Sequence, residues 1–154
     1  MLKQQTGIDI MHVPYKGASP AVTALLSNEV QMFPGDASAV LGFIKAGKLR
    51  TLAVASPTRF EGLPDVPTTK EAGFPDVIVE SNYGIIAPTG TPPEIVQKMS
   101  QAIAQTLAEP ALRQKMIDQG AIPTATTPEA YQALMQAESK KWGEVIRRGK
   151  LGLE

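Results

Sequence analysis

The chain has 154 residues, 43% apolar and 19% charged, a length and balance that suit one globular domain or two small lobes and exclude a large multidomain machine. Fifteen Lys plus Arg against fifteen Asp plus Glu give zero net charge, and no basic run exceeds a pair such as Arg147-Arg148, so the electrostatic footprint of a nucleic-acid binder is missing. With no cysteine there is neither disulfide nor thiol chemistry, and a lone histidine, His12, leaves too few imidazoles for a His-rich zinc site.

Residues 1–5 read as the end of a helix stopped at Gly7, the residue type that tolerates the left-handed position after a helix. Residues 8–13 are β-rich and end at Pro14, which predicts a short strand with His12 as a structural histidine inside it. Ser19 and Pro20 then supply an N-cap and a first helical residue, and Val22, Leu25 and Leu26 recur at helical spacing until Asn28. The unit repeats: residues 30–33 form an apolar strand, Pro34-Gly35 breaks it, Asp36 or Ser38 caps a helix through Val40, Leu41 and Ile44, and Gly47 closes it.

Residues 49–55 predict a buried strand, followed by a Pro-rich loop and a short helix with a Thr68…Glu71 capping box ending at Gly73. Alternation of this kind predicts an α/β fold with a mostly parallel sheet and flanking helices. Residues 77–87 are apolar at both ends and polar at Glu80-Ser81-Asn82-Tyr83, as expected of a strand crossing between lobes or of one bulged at Gly84. Beyond this point helices dominate. Thr91-Pro92-Pro93-Glu94 predicts a capped helix reaching Glu109-Pro110. A second runs through Leu112, Met116 and Ile117 to Gly120, with at most a short edge strand after it at Ala121-Ile122-Pro123. A third, capped by Thr127-Pro128, places Tyr131, Leu134, Met135, Trp142, Val145 and Ile146 on one stripe. No apolar run reaches the roughly 18 residues of a membrane span, and the first residues lack the regions of a signal peptide.

No nucleophile, base and oxyanion donor can be assembled, and the GxGxxG, Walker, HExxH and GxSxG patterns are missing, so neither catalysis nor a cofactor or metal is expected. A binding role is left. In open α/β sheets ligands sit outside the carboxyl ends of the strands, and two loops qualify. Tyr15, Lys16 and Gly17 precede a helix whose first N–H groups and dipole suit an anion, with Lys16 as an added cation; a plain capped turn is the alternative. Gly35, Asp36 and Ala37 form the second loop, where Asp36 either accepts a hydrogen bond from a ligand or caps the next helix. Ser81 and Tyr83 add hydroxyls at the crossing.

Four strings then carry a resemblance: His12-Val13-Pro14-Tyr15-Lys16-Gly17; Ile44-Lys45-Ala46-Gly47-Lys48-Leu49-Arg50 followed by Leu52-Ala53-Val54; Leu63-Pro64-Asp65-Val66-Pro67-Thr68 with Glu71-Ala72-Gly73; and Ala87-Pro88-Thr89-Gly90-Thr91-Pro92. In that order they resemble the Bug-type substrate-binding proteins of tripartite tricarboxylate transporters, over essentially the whole chain. The resemblance is to the C-terminal half. It implies part of a type II periplasmic-binding-protein-like fold, with residues 1–80 in the second lobe and 81–154 returning to the first. It further implies a periplasmic location for the full-length protein, a small carboxylate, dicarboxylate or amino acid held in the cleft, and a membrane permease as partner. Departures stand at Pro34-Gly35-Asp36 and at Ser81-Asn82-Tyr83, where relatives often carry an Asp followed by Asn or a small residue, and Ser-Trp. Edges exposed by the missing half predict a homodimer. A ligand-sensing regulatory domain and a chain that folds without binding are the alternative readings.

Overall fold

A computed structural model describes residues 1–149. Six helices follow one another: α1 Leu2–Thr6, α2 Ala18–Leu26, α3 Ala37–Lys45, α4 Pro93–Ala108, α5 Pro110–Asp118 and α6 Pro128–Gly149. The chain divides into two compact units. The first holds Leu2–Ser81 together with Gln114–Ile122; the second holds Asn82–Arg113 and the residues from Pro123 onward.

The helices follow the sequence patterns closely. α1 ends at Gly7, with φ 69°, whose N–H bonds back to the carbonyl of Lys3. α2 begins earlier than Ser19 and Pro20 suggest: Gly17 is its N-cap. Pro20 thereby falls at the third helical position, where its missing N–H still belongs to the donors that have no intrahelical acceptor. The helix closes through Asn28, which takes the left-handed conformation at φ 62° while the N–H groups of Glu29 and Val30 bond to the carbonyl of Ala24. α3 is closed by Gly47 in the same way, with Lys48 and Leu49 bonding to Phe43.

α4 starts one residue later than a Thr91 capping box requires. Its N-cap is Pro92, which has no side-chain acceptor, and the Thr91 hydroxyl donates instead to the carbonyl of Pro88 at 2.8 Å. α6 keeps its expected cap, the Ala130 N–H bonding to Thr127 Oγ1 at 3.2 Å.

The sheet is the main departure. Among the described residues no strand forms, and a single isolated bridge, parallel, joins Val54 to Thr68. It is built by Val54 N–H to Pro67 and Thr69 N–H to Val54, with Val79 N–H reaching Ala55 alongside. No backbone-to-backbone hydrogen bond joins residues 8–14, 31–34, 50–53 or 84–87 to another described segment. The cause is intrinsic to strands: a helix completes its hydrogen bonds within its own sequence, whereas a strand needs a neighbour. His12 correspondingly lies exposed, outside any strand.

The Thr68…Glu71 capping box does form, but around a turn. Glu71 N–H bonds to Thr68 Oγ1 at 3.1 Å and Thr68 N–H to Glu71 Oε2 at 2.7 Å. Gly73, at φ 93°, ends the turn before a helix develops.

Among the described residues every buried apolar side chain belongs to the first unit: Ala21, Val22 and Ala24 on α2, Leu41 on α3, then Phe60, Val77 and Ile117. Leu41, Phe60 and Ile117 form one cluster, with Ala37, Val54 and Leu63 packed against it. Phe60 enters from the Pro-rich loop, and Ile117 from the last turns of α5. In the second unit α4 packs on α6, yet neither helix contains a buried residue. On the predicted stripe Tyr131, Leu134, Trp142 and Val145 are half-buried, and Met135 and Ile146 are exposed.

Candidate functional site

Within the first unit the two loops singled out by sequence stand at the starts of α2 and α3. At α2, Tyr15 is half-buried while Lys16 and Gly17 are exposed, and Gly17 N–H bonds to the carbonyl of Tyr15 at 2.9 Å. Gly17 has φ 104° and ψ 177°, a conformation in which a side chain is strained. No side chain caps α2, which leaves its first-turn N–H groups without a side-chain acceptor at the positive end of the helix dipole, two residues after the exposed Lys16. Such an arrangement favours an anion.

At α3 the arrangement differs. Asp36 occupies the N-cap position with extended backbone angles, φ −64° and ψ 141°, but its carboxylate makes no capping bond. Instead Asp36 Oδ1 accepts a hydrogen bond of 2.6 Å from Ser81 Oγ, 45 residues further along the chain. Two of the expected site residues are thereby joined directly. The Ser81 hydroxyl uses its one O–H donor on Asp36 and offers a ligand acceptor capacity, and the Asp36 carboxylate favours a donor such as an ammonium or a hydroxyl.

The neighbours of Asp36 have different tasks. Gly35 lies against the Phe33 ring, so that a Cβ there would collide with it. Ala37 turns its methyl group toward the Leu41, Phe60 and Ile117 cluster, which leaves backbone atoms for any ligand. The α3 start is also closely covered: a Cβ on Gly120 would lie 2.5 Å from Ser38 N and 2.7 Å from Ala37 C. Gly120, at φ 88°, read from sequence as a helix stop, also lets the turn after α5 approach that backbone. No local signal announces either this approach or the Ser81 to Asp36 bond, because both are contacts between distant segments. Tyr83 belongs to the second unit, where it is 84% exposed. Among the described residues no group of three or more His, Cys, Asp or Glu could hold a metal ion, and no helix is long and apolar enough to cross a membrane.

Helix starts of this kind suit a bound anion, and comparison with known proteins supplies the family. The sequence profile of the tripartite tricarboxylate transporter family receptor matches residues 1–152. The chain belongs to that receptor family. BugT of Bordetella pertussis is 34% identical over 147 residues, covering 96% of this chain and 45% of BugT. A UPF0065 protein from the clcB-clcD intergenic region of Pseudomonas knackmussii is 33% identical over 147 residues, covering 95% of this chain and 87% of that protein. Among solved structures, R. palustris Rpa4515 with adipate superposes with a TM-score of 0.84 at 33% identity, covering 95% of this chain and 49% of that one. The chain thus spans about half the length of BugT and of the adipate-bound protein.

Proposed function

We propose that this chain contributes one wall of a periplasmic solute receptor that binds a small carboxylate, dicarboxylate or amino acid and delivers it to a membrane permease. The family match over residues 1–152 carries the reading, and the adipate held by Rpa4515 supports the ligand class. In the first unit, the α2 start with Lys16 takes a carboxylate through backbone N–H groups and one cation. The Asp36 and Ser81 pair meets the far end of the ligand, and the charge of Asp36 sets the order of preference there: a ligand ending in an ammonium or hydroxyl binds more tightly than one ending in a second carboxylate. The reading makes the receptor C-terminal region the source of these groups, with residues 1–80 and 81–154 drawn from two lobes.

Titration calorimetry with adipate, shorter dicarboxylates and acidic amino acids tests it. Saturable binding is expected, weakened about tenfold by Lys16→Ala. Asp36→Asn is expected to raise affinity for dicarboxylates and lower it for amino acids. Binding unchanged by both substitutions would reject these loops as the wall, and no binding of any carboxylate, by the chain alone or together with the remainder of a receptor, would reject the function.

A further inference from the structure

Asp36 stands at the N-cap of α3, where an Asp carboxylate ordinarily accepts from the N–H of the second or third helical residue, here Ser38 or Ala39. It caps neither, and its Oδ1 takes the Ser81 hydroxyl at 2.6 Å. At the same helix start stands Gly120: a Cβ there would lie 2.5 Å from the nitrogen of Ser38, 2.7 Å from the carbonyl carbon of Ala37 and 2.9 Å from Ser38 Cα. Only a glycine can bring the turn after α5 so close, and φ 88° at this residue asks for glycine a second time. The turn has a fixed footing. Ile117, three residues earlier, is buried beside Leu41 and Phe60, and the N–H groups of Gly120 and Ala121 bond to the carbonyls of Ile117 and Met116, both at 2.9 Å. Ala37 packs against that same cluster, so the first turn of α3 is held by a side chain on the core and by its backbone on Gly120. Asp36, Ser81 and Gly120 come from three stretches of sequence, all within the first unit.

We infer that Gly120 is a positioning residue for the Asp36 and Ser81 pair: its backbone, pressed on the Ser38 nitrogen, holds the first turn of α3 where the Asp36 carboxylate meets Ser81 in place of capping its own helix. A side chain at position 120 displaces that turn and releases the pair. Through Asp36, position 120 then tunes the preference for an ammonium over a second carboxylate. This consequence for selectivity rests on the proposed function; the positioning itself does not.

The test is a ligand-free double-mutant cycle on the full chain, read as the protection factor of the Leu41 amide, which reports opening of the first unit. Ser81→Ala is expected to lower protection about fivefold in the wild-type background and by less than about twofold once Gly120→Ala is present. Gly47→Ala supplies the comparison. Gly47, at φ 69°, closes the other end of α3, and a Cβ there would meet nothing within 4 Å, so this variant carries backbone strain without the collision. In its background Ser81→Ala keeps the full effect. Coupling is reciprocal, so a second measurement leaves Gly120 intact and serves even where Gly120→Ala does not fold. Ser81→Ala, at an exposed position, is expected to move the amide resonances of Gly120 and Ala121 and to leave those of Gly47 and Lys48 in place. In titration calorimetry the affinity ratio of γ-aminobutyrate to succinate is expected to fall about fivefold in Gly120→Ala and to stay unchanged in Gly47→Ala. Failure of both probes to bind the wild type counts against the proposed function alone, since the cycle contains no ligand. Three results overturn the positioning: Ser81→Ala costing as much beside Gly120→Ala as in the wild type, Gly47→Ala erasing its effect equally, or Gly120 and Ala121 resonances that do not respond to Ser81→Ala.

Discussion

The Glu71 carboxylate accepts three hydrogen bonds from two residues. Arg59 Nε donates to both its oxygens at 3.0 and 3.1 Å, and Thr68 N–H to one of them at 2.7 Å. Arg59 also donates to the carbonyl of Pro64, tying the Pro-rich loop to the turn that follows it. The Arg59 bond and then the Thr68 N–H lower the Glu71 carboxyl from the usual 4.5 to about 2. A carboxyl lowered in the folded state contributes in full above pH 4.5, and the contribution is lost as the pH falls toward 2. The protection factor of the Thr68 amide, its exchange relative to the intrinsic rate at each pH, should therefore fall across that window, and Glu71→Gln should abolish this acid dependence by removing the titrating carboxylate. Thr51 presents the opposite case. Its hydroxyl is shut off from water without a hydrogen-bond partner. Thr51→Val removes that unsatisfied group at nearly constant shape and should raise the midpoint of denaturant unfolding by the equivalent of about 1 kcal/mol.

At the scale of elements, two glycines with similar backbone angles separate strain from space. Gly73 and Gly120 have φ 93° and 88°, but a Cβ on Gly73 would meet nothing within 4 Å, whereas one on Gly120 would press on the backbone of Ala37 and Ser38. Gly73→Ala should cost about 1 kcal/mol from conformation alone, and Gly120→Ala about 2 to 4 kcal/mol because α3 must also shift. Denaturant titration of the two variants checks the difference. The same elements show what the sequence made legible. Helix existence and most stops were readable, because Gly7, Asn28, Gly47 and the Pro93 start act through neighbours in sequence. The caps at Ser19 and Thr91 were misplaced by a residue or two, since Ser and Thr hydroxyls also bond to nearby carbonyls, as Thr91 does to Pro88. The strands were unreadable for a different reason: residues 84–87 have the composition of a sheet interior, but composition does not supply the neighbour. The loops of the site were legible as helix starts. The Asp36 to Ser81 bond was not, for nothing near either residue specifies a partner 45 positions away.

Across the whole molecule, burial is uneven. Among the described residues all of the buried side chains lie in the first unit, while the second, which contains Trp142, has none. Trp142 is held by its own helix, donating to Glu138 Oε2 at 2.8 Å with Lys141 over its ring at 5.3 Å. A unit without a buried core should open first. The fluorescence of this single tryptophan should thus report a transition at lower denaturant than loss of amide protection at Leu41 in the first unit; coincident transitions would show that the two units unfold as one.

The first unit is also discontinuous, since Ile117 completes a cluster begun by Leu41 and Phe60. On the ribosome the chain emerges from its N-terminus at about 5–20 residues per second, so Phe60 waits several seconds for Ile117 to be made. In that interval the residues of the second unit's first helix are synthesised and can coil while Phe60 still lacks its lid. The nascent chain is consequently most exposed to aggregation or chaperone capture between these two residues, and a synonymous slowing of translation there should lengthen that exposure without altering a single contact of the finished fold.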